Sequence, residues 1–184
     1  YANGDITNLR QTISPREWLQ SYVDKGIHCV AVTDHNTGEW IDRLKIEAEF
    51  FRGQGKEIYI FPGVEITANS NIHILGIFDP SKNTADINAV VGASKFRGTK
   101  GDSDSVAEES AENIIEEIIK SGGVAIPAHI DMKAGLCQTT AITIRQVCEK
   151  AQAVEIIFPE DPTRTPEAPL SRYNNLNLNL PSVI

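Results

Sequence analysis

The chain has 184 residues, a size that suits one domain with a buried core. Its formal net charge of −8 argues against a general nucleic-acid-binding surface, which needs clustered basic residues. No apolar stretch approaches the roughly 20 residues of a membrane-spanning helix, and the 3 cysteines lack C-x-x-C spacing, which indicates a reducing, cytoplasmic setting.

Helices and strands alternate in the first part of the chain. The segment Ser14-Pro-Arg-Glu17 predicts a capped helix that ends at Gly26. The run 29–33 predicts a strand in which Cys29 is a small buried residue. A second helix follows, with Ile41, Leu44, Ala48 and Phe51 on one face, and then a strand that Pro62-Gly63 interrupts.

The second part of the chain continues the alternation. Residues 92–109 are rich in Gly, Ser, Asp and Lys, which predicts a mobile surface loop long enough to be a lid or an insertion. The Pro- and Asn-rich tail 159–181 predicts a loop or a poorly ordered stretch. The other predicted elements are strands over 72–78, 124–128, 153–158 and 180–184, and helices after Thr84 and over 110–121 and 140–151.

This order favours an α/β fold with a largely parallel sheet. A barrel is favoured over an open sheet because the chemically interesting side chains follow strands, and barrel enzymes build their sites at the carboxyl ends of their strands. An open nucleotide-binding sheet has no support, because the sequence contains no G-x-G-x-x-G motif and no P-loop.

Four side chains that can bind a metal lie in or directly after predicted strands. Each one alone also fits an ordinary structural role: a turn at Asp34-His35, an exposed edge-strand position for Glu65, a hydrogen-bonded core position for His73 and a polar strand end at His129. Together, three histidines and a glutamate match the ligands that Zn²⁺, Mn²⁺ or Fe²⁺ accept. Asp34 is placed to fix the tautomer of a metal-bound His35.

Four phrases of the sequence resemble the inner motifs of the PHP family, the polymerase-and-histidinol-phosphatase type metal-dependent phosphoesterases. These phrases are Ala31-Val-Thr-Asp-His-Asn36, Pro62-Gly-Val-Glu-Ile-Thr67, His73-Ile-Leu-Gly76 and Gly123-Val-Ala-Ile-Pro-Ala-His129. The resemblance implies a distorted (β/α)7, TIM-like barrel that holds two or three divalent ions.

The same resemblance implies roles for individual residues. His35, Glu65, His73 and His129 would bind the metal. Asp34 and Glu65 would take part in catalysis, with Asp34 supporting a ligand and not binding the ion itself.

Two motifs of that family are absent from the sequence: an opening His-x-His and a closing Asp-x-His. The expectation is therefore a single PHP-type barrel domain over residues 1–184 that is incomplete at both ends. Such a chain would not assemble a fully occupied cluster of metal ions.

Three functions fit these residues. The first is hydrolysis of a phosphate ester in a small phosphorylated substrate or nucleotide; the charge does not support nucleic acid as a substrate. The second is an inactive PHP module that regulates or scaffolds an attached ATPase domain, because Ser14–Trp18 and the 96–104 loop loosely resemble PHP domains of ATPase-like proteins. The third is hydrolysis of C–N bonds, as in amidohydrolase barrels.

Overall fold

Helices and strands alternate in the computed structural model, which describes residues 13–133, 135–159 and 170–183. The α/β class predicted from the sequence is confirmed. The helices are α1 (Pro15–Val23), α2 (Ile41–Gly53), α3 (Thr84–Ala93), α4 (Ala111–Lys120), α5 (Ala141–Lys150) and α6 (Leu170–Asn174), with a 3-10 turn at Leu136–Gln138. The strands are β1 (Cys29–Val32), β2 (Tyr59–Thr67), β3 (His73–Ile77), β4 (Val124–Pro127), β5 (Val154–Glu155) and β6 (Ser182–Val183).

The main sheet has four strands in the order β1-β2-β3-β4. Strands β1 and β2 are parallel, whereas β3 runs antiparallel to both β2 and β4. A second, two-stranded sheet pairs β5 with β6 in parallel and adjoins β4, where the Ile130 N–H donates to the Glu155 carbonyl at 3.0 Å. The described strands form a mixed sheet and do not close into a barrel. The prediction of a largely parallel sheet was wrong, because β3 runs antiparallel to both of its neighbours.

The short connection between β2 and β3 explains the reversal. Parallel neighbours need a crossover of a dozen or more residues, and only residues 68–72 separate Thr67 from His73. The Ala68 N–H donates to the Ile72 carbonyl at 2.9 Å. Asn71 adopts a φ of 59°, a left-handed conformation that asparagine tolerates well. This segment therefore turns the chain back on itself.

Strand β2 runs through Pro62-Gly63 without the predicted interruption. The Pro62 carbonyl accepts the Phe78 N–H at 2.8 Å, just beyond the end of the β2–β3 ladder. Main-chain N and O of one strand residue point to the same side, so the Pro62 nitrogen faces that ladder end and not β1. The missing N–H therefore falls at the end of the ladder and interrupts none of its inner pairs, a position where a strand tolerates proline.

Two groups of buried side chains hold the helices on the sheet. One lies between β1, β2, α1 and α2, and it contains three of the four residues predicted for the α2 face, namely Leu44, Ala48 and Phe51. The other lies under α3, α4 and α5 and includes Ile114, Ile115 and Ile118 of α4, as the sequence pattern predicted. The same pattern placed Ile119 on this apolar stripe, but Ile119 is exposed. At α1, the Ser14–Glu17 capping box is present as expected.

Cys29 is exposed, so its predicted burial was wrong. Val30 and Val32 point toward α1 and α2, and strand alternation turns Cys29 and Ala31 to the opposite, exposed face. The other two cysteines are buried, and burial raises the pKa of Cys137 to about 11 and that of Cys148 to about 12.

The carboxyl-terminal part differs from its prediction in two places. The predicted strand 153–158 contains ladder pairing only at Val154–Glu155. Part of the predicted tail loop is helical: α6 buries Tyr173 against the core, whereas residues 160–169 lie outside the described part of the chain. The final strand is confirmed as β6. In residues 13–133, 135–159 and 170–183, no helix has the length and apolar content that crossing a bilayer requires.

Candidate metal centre

The chain beyond β1 continues beside β2 and brings His35 level with Glu65. The Asn36 N–H donates to the Glu65 carbonyl at 2.8 Å, and the Glu65 N–H donates to the Asp34 carbonyl at 3.1 Å. His35 and Glu65 therefore form a parallel bridge. This pairing places the histidine beside the carboxylate although 30 positions separate them in the sequence.

The register of the β2–β3 hairpin adds His73 to the same face. Thr67 lies directly opposite His73, and residues two apart on a strand face the same side, so Glu65, Thr67 and His73 share one face. The Glu65 Oε1 atom lies 2.6 Å from His73 Nδ1, a short charge-assisted hydrogen bond.

Glu65 is the centre of the cluster. Its Oε2 atom lies 3.7 Å from His35 Nε2, and its Oε1 atom lies 3.4 Å from His129 Nε2. The His73 ring centroid lies 5.6 Å from that of His35 and 4.9 Å from that of His129. All four side chains predicted as metal ligands therefore meet at one place, at the ends of β1 and β4 and on β2 and β3.

The cluster keeps Glu65 ionised. Burial acts to raise the pKa of Glu65, but hydrogen bonds from His129 and His73 and the charges of His35 and His73 outweigh burial and lower it to about 2. The pKa of His129 is raised, first by its hydrogen bond to Glu65, although burial opposes this, and then by the charges of Glu65 and Glu155. Both shifts favour a charged pair between His129 and the partly buried Glu65 carboxylate.

The donor atoms fit a divalent cation. His35, Glu65 and His73 each offer one ligand atom, and these atoms lie within 4.8 Å of one another. Among the described residues, the buried Nδ1 atoms of His35 and His129 have no hydrogen-bond partner. Mixed imidazole and carboxylate donors suit Zn²⁺, Mn²⁺ or Fe²⁺. His35, Glu65 and His73 would hold such an ion, and His129 lies beside Glu65.

The raised pKa of His129 predicts how metal affinity depends on pH. A metal needs the neutral imidazole, so binding must release the proton that His129 otherwise keeps to a higher pH than usual. Glu65 stays ionised throughout this range, since its pKa is about 2. We expect the apparent affinity for Zn²⁺ to rise as the pH increases through the range above the ordinary imidazole pKa of about 6.5.

Calorimetry in buffers of different ionisation enthalpy measures both the affinity and the protons released. Proton release should be absent or reduced in His129→Ala. A Zn²⁺ affinity that stays constant across this range in the wild type would contradict the assignment of His129.

Asp34 adjoins the cluster through its main chain, where its carbonyl accepts the Glu65 N–H. Its predicted catalytic support of His35 stays a prediction.

The loop after α3, predicted to be a mobile surface segment, is docked on this site. The Gly101 N–H donates to the His35 carbonyl at 2.8 Å. The buried side chain of Asn36 donates from Nδ2 to the carbonyl groups of Asp102 at 3.4 Å and Ser105 at 3.1 Å. Asn36 adopts a φ of 52°, which turns the chain directly after His35. The loop composition indicated solvent exposure, and Asn36 was missed as the residue that anchors it.

Glu155 is the other site residue that the sequence interpretation missed. Its Oε2 atom accepts the main-chain N–H of His129 at 2.7 Å. A signal was present, because Glu155 interrupts the apolar run 153–158 in the same way that Glu65 interrupts its own strand.

Comparisons with known proteins show a shared fold. No protein-family model matches the chain, and no curated protein matches it. A putative metal-dependent phosphoesterase from Bifidobacterium adolescentis superimposes with a TM-score of 0.58 and 14% identity, over 93% of this chain and 81% of that chain. An amidohydrolase from Chromobacterium violaceum, solved with bound sulfate and no metal, gives a TM-score of 0.50 and 16% identity, over 78% of this chain and 72% of that chain. The chain therefore has an α/β fold that is also found in these hydrolases.

Proposed function

We propose that the chain is a metal-dependent phosphoesterase that acts on a small phosphorylated substrate or nucleotide and belongs to the PHP family. The observation that carries the proposal is the convergence of Glu65 with His35, His73 and His129. The four motifs that resemble the PHP family contain these four residues. The fold is shared with the putative metal-dependent phosphoesterase from Bifidobacterium adolescentis, which supports phosphate-ester hydrolysis as the reaction.

In this proposal, the protein side chains hold and orient the reaction centre. Bound divalent ions would supply the Lewis acidity that polarises a phosphoryl group and lowers the pKa of a bound water. His35, Glu65 and His73 would hold the ion, and the neighbouring histidines keep Glu65 ionised for this role. His129 can receive a proton at Nε2 beside the Glu65 carboxylate. The loop carbonyls that the buried Asn36 side chain binds fix the main chain next to His35.

A second candidate function is the hydrolysis of C–N bonds. The specific observation in its favour is the fold shared with the amidohydrolase from Chromobacterium violaceum. A site of imidazole and carboxylate ligands can polarise an amide carbonyl as well as a phosphoryl oxygen, so the ligands alone do not separate the two reactions.

A substrate panel separates these functions. The full-length protein, loaded with Zn²⁺, Mn²⁺ or Fe²⁺, is incubated with phosphate monoesters, nucleotides and amides, and released phosphate and amine are measured. We expect phosphate release that a chelator abolishes. Amine release without phosphate release would replace the proposal with the amidohydrolase function. A protein that binds metal and hydrolyses neither class would support the alternative of a regulatory module beside an ATPase domain.

A further inference from the structure

Two carboxylates tie the ends of β4 and β5 together in opposite directions. From the β5 side, Glu155 Oε2 accepts the main-chain N–H of His129 at 2.7 Å. From the β4 side, Asp131 accepts the main-chain N–H groups of Ile157 at 3.0 Å and Phe158 at 2.8 Å. We call these contacts the β4–β5 clasp. Each carboxylate binds main-chain donors of the opposite strand end, so the two halves can be removed separately.

The main chain at His129 needs such support. Its φ is 34°, a conformation that residues with a Cβ atom adopt rarely and that persists only where the surrounding structure enforces it. Glu155 contacts the peptide groups on both sides of this residue, because its carboxylate accepts the His129 N–H and its carbonyl accepts the Ile130 N–H at 3.0 Å. Glu155 thus fixes the backbone turn from which the His129 imidazole extends.

The direction of that imidazole decides whether His129 reaches the candidate metal centre. Its Nε2 atom lies 3.4 Å from Glu65 Oε1 in the present conformation. Rotation of the main chain at His129 would move the ring away from Glu65, because the side chain follows its Cα–Cβ bond. The Glu155 carboxylate does not need to contact the metal to have this effect.

We propose that Glu155 is a positioning residue for the metal centre, which holds the His129 main chain so that the imidazole faces Glu65. This inference rests on the proposed metal-dependent function of the same site. Glu155 would bind neither substrate nor ion. Asp131 forms the other half of the clasp and has a structural role there. Partners that orient metal ligands typically change affinity by about 10- to 100-fold when they are removed.

Two substitutions at Glu155 separate its acceptor role from its charge. Glu155→Ala removes the acceptor of the His129 N–H, and we expect a loss of about 10-fold or more in Zn²⁺ affinity. Glu155→Gln keeps a side-chain oxygen that can accept the same N–H, so its affinity should stay within about 3-fold of the wild type. Competition with a chelating dye measures these affinities.

Asp131→Ala is the matched control. It opens the other half of the clasp by removing the carboxylate that accepts the Ile157 and Phe158 N–H groups, but it keeps the Glu155–His129 contact. Urea denaturation measures how much each variant loses in stability. A purely structural clasp predicts that Asp131→Ala and Glu155→Ala lose metal affinity in proportion to their loss of stability. A positioning role predicts an affinity loss in Glu155→Ala beyond that proportion.

A second readout uses the metal-free protein. Nuclear Overhauser spectra report contacts between the His129 and His73 rings, whose centroids lie 4.9 Å apart, and we expect these His129 signals to weaken in Glu155→Ala and to persist in Glu155→Gln. Unchanged His129 signals in Glu155→Ala, or equal affinity losses in equally destabilised Asp131→Ala, would overturn the inference. If the wild type binds no metal, the proposed function fails, and the His129 signals still decide the role of Glu155.

Discussion

Glu65→Gln should lose metal binding while the protein stays folded. The substitution keeps the size of the side chain but removes the charge that lies between His35, His73 and His129. Loss of an outer partner alone costs about 10- to 100-fold in metal affinity, so loss of this ligand should cost more than about 100-fold. Phosphate release should fall by at least the same factor, as a colorimetric phosphate assay would show.

Glu57→Gln is the matched control for that substitution. Glu57 also pairs with a histidine, His28 Nδ1 at 3.6 Å, but both side chains are largely exposed. Exposed ion pairs contribute little, and this pair lies outside the candidate centre. We expect wild-type metal affinity and activity in Glu57→Gln. Circular dichroism checks that both variants are folded. Equal changes in metal affinity and activity in the two variants would mean that Glu65 contributes no more than an exposed ion pair does.

Gly63→Ala should strongly destabilise the protein. A Cβ atom at Gly63 would lie 2.8 Å from the Gly76 carbonyl oxygen, 2.9 Å from the Val32 carbonyl oxygen and 2.9 Å from Thr33 Cγ2. Two of these neighbours are main-chain atoms of the adjoining strands, which cannot move without breaking the ladders. We expect a loss of about 3 kcal/mol or more in the free energy of unfolding.

The control for this prediction is Gly92→Ala. Gly92 lies in α3, and a Cβ atom there would meet nothing within 4 Å. Replacing a helical glycine by alanine should stabilise the protein by about 0.5 kcal/mol. Urea denaturation of both variants gives the two free energies. A Gly63→Ala protein as stable as the wild type would show that β1, β2 and β3 do not approach each other as closely as the structure has them.

The sequence predicted those parts of the fold that depend on local patterns. The capping box at Ser14 and the isoleucine stripe of α4 each follow from residues within a few positions of one another. The antiparallel course of β3 was not predicted, because it depends on the reach of a short connection and not on the composition of the strand. The exposure of Cys29 was missed for a similar reason, since a short apolar run does not tell which face is covered.

The candidate metal centre also combines features that local sequence patterns predict with features that depend on distant contacts. The four expected ligands were recognisable because metal-binding residue types recur at strand ends, and the structure brings all four together. Asn36 and Glu155 were missed because their roles are main-chain contacts with segments distant in the sequence. A side chain that binds a distant peptide group leaves no spacing pattern. For Glu155, its isolation in an apolar strand was the one available signal.

The most direct test of the metal centre is anomalous diffraction from crystals of the protein grown with Zn²⁺ or Mn²⁺. A map calculated at the absorption edge of the metal locates the ion independently of any assay. We expect a peak within about 2.0 to 2.6 Å of a Glu65 carboxylate oxygen and of ligand nitrogens of His35 and His73. A metal-loaded crystal with its peaks elsewhere, and none among these three residues, would contradict it.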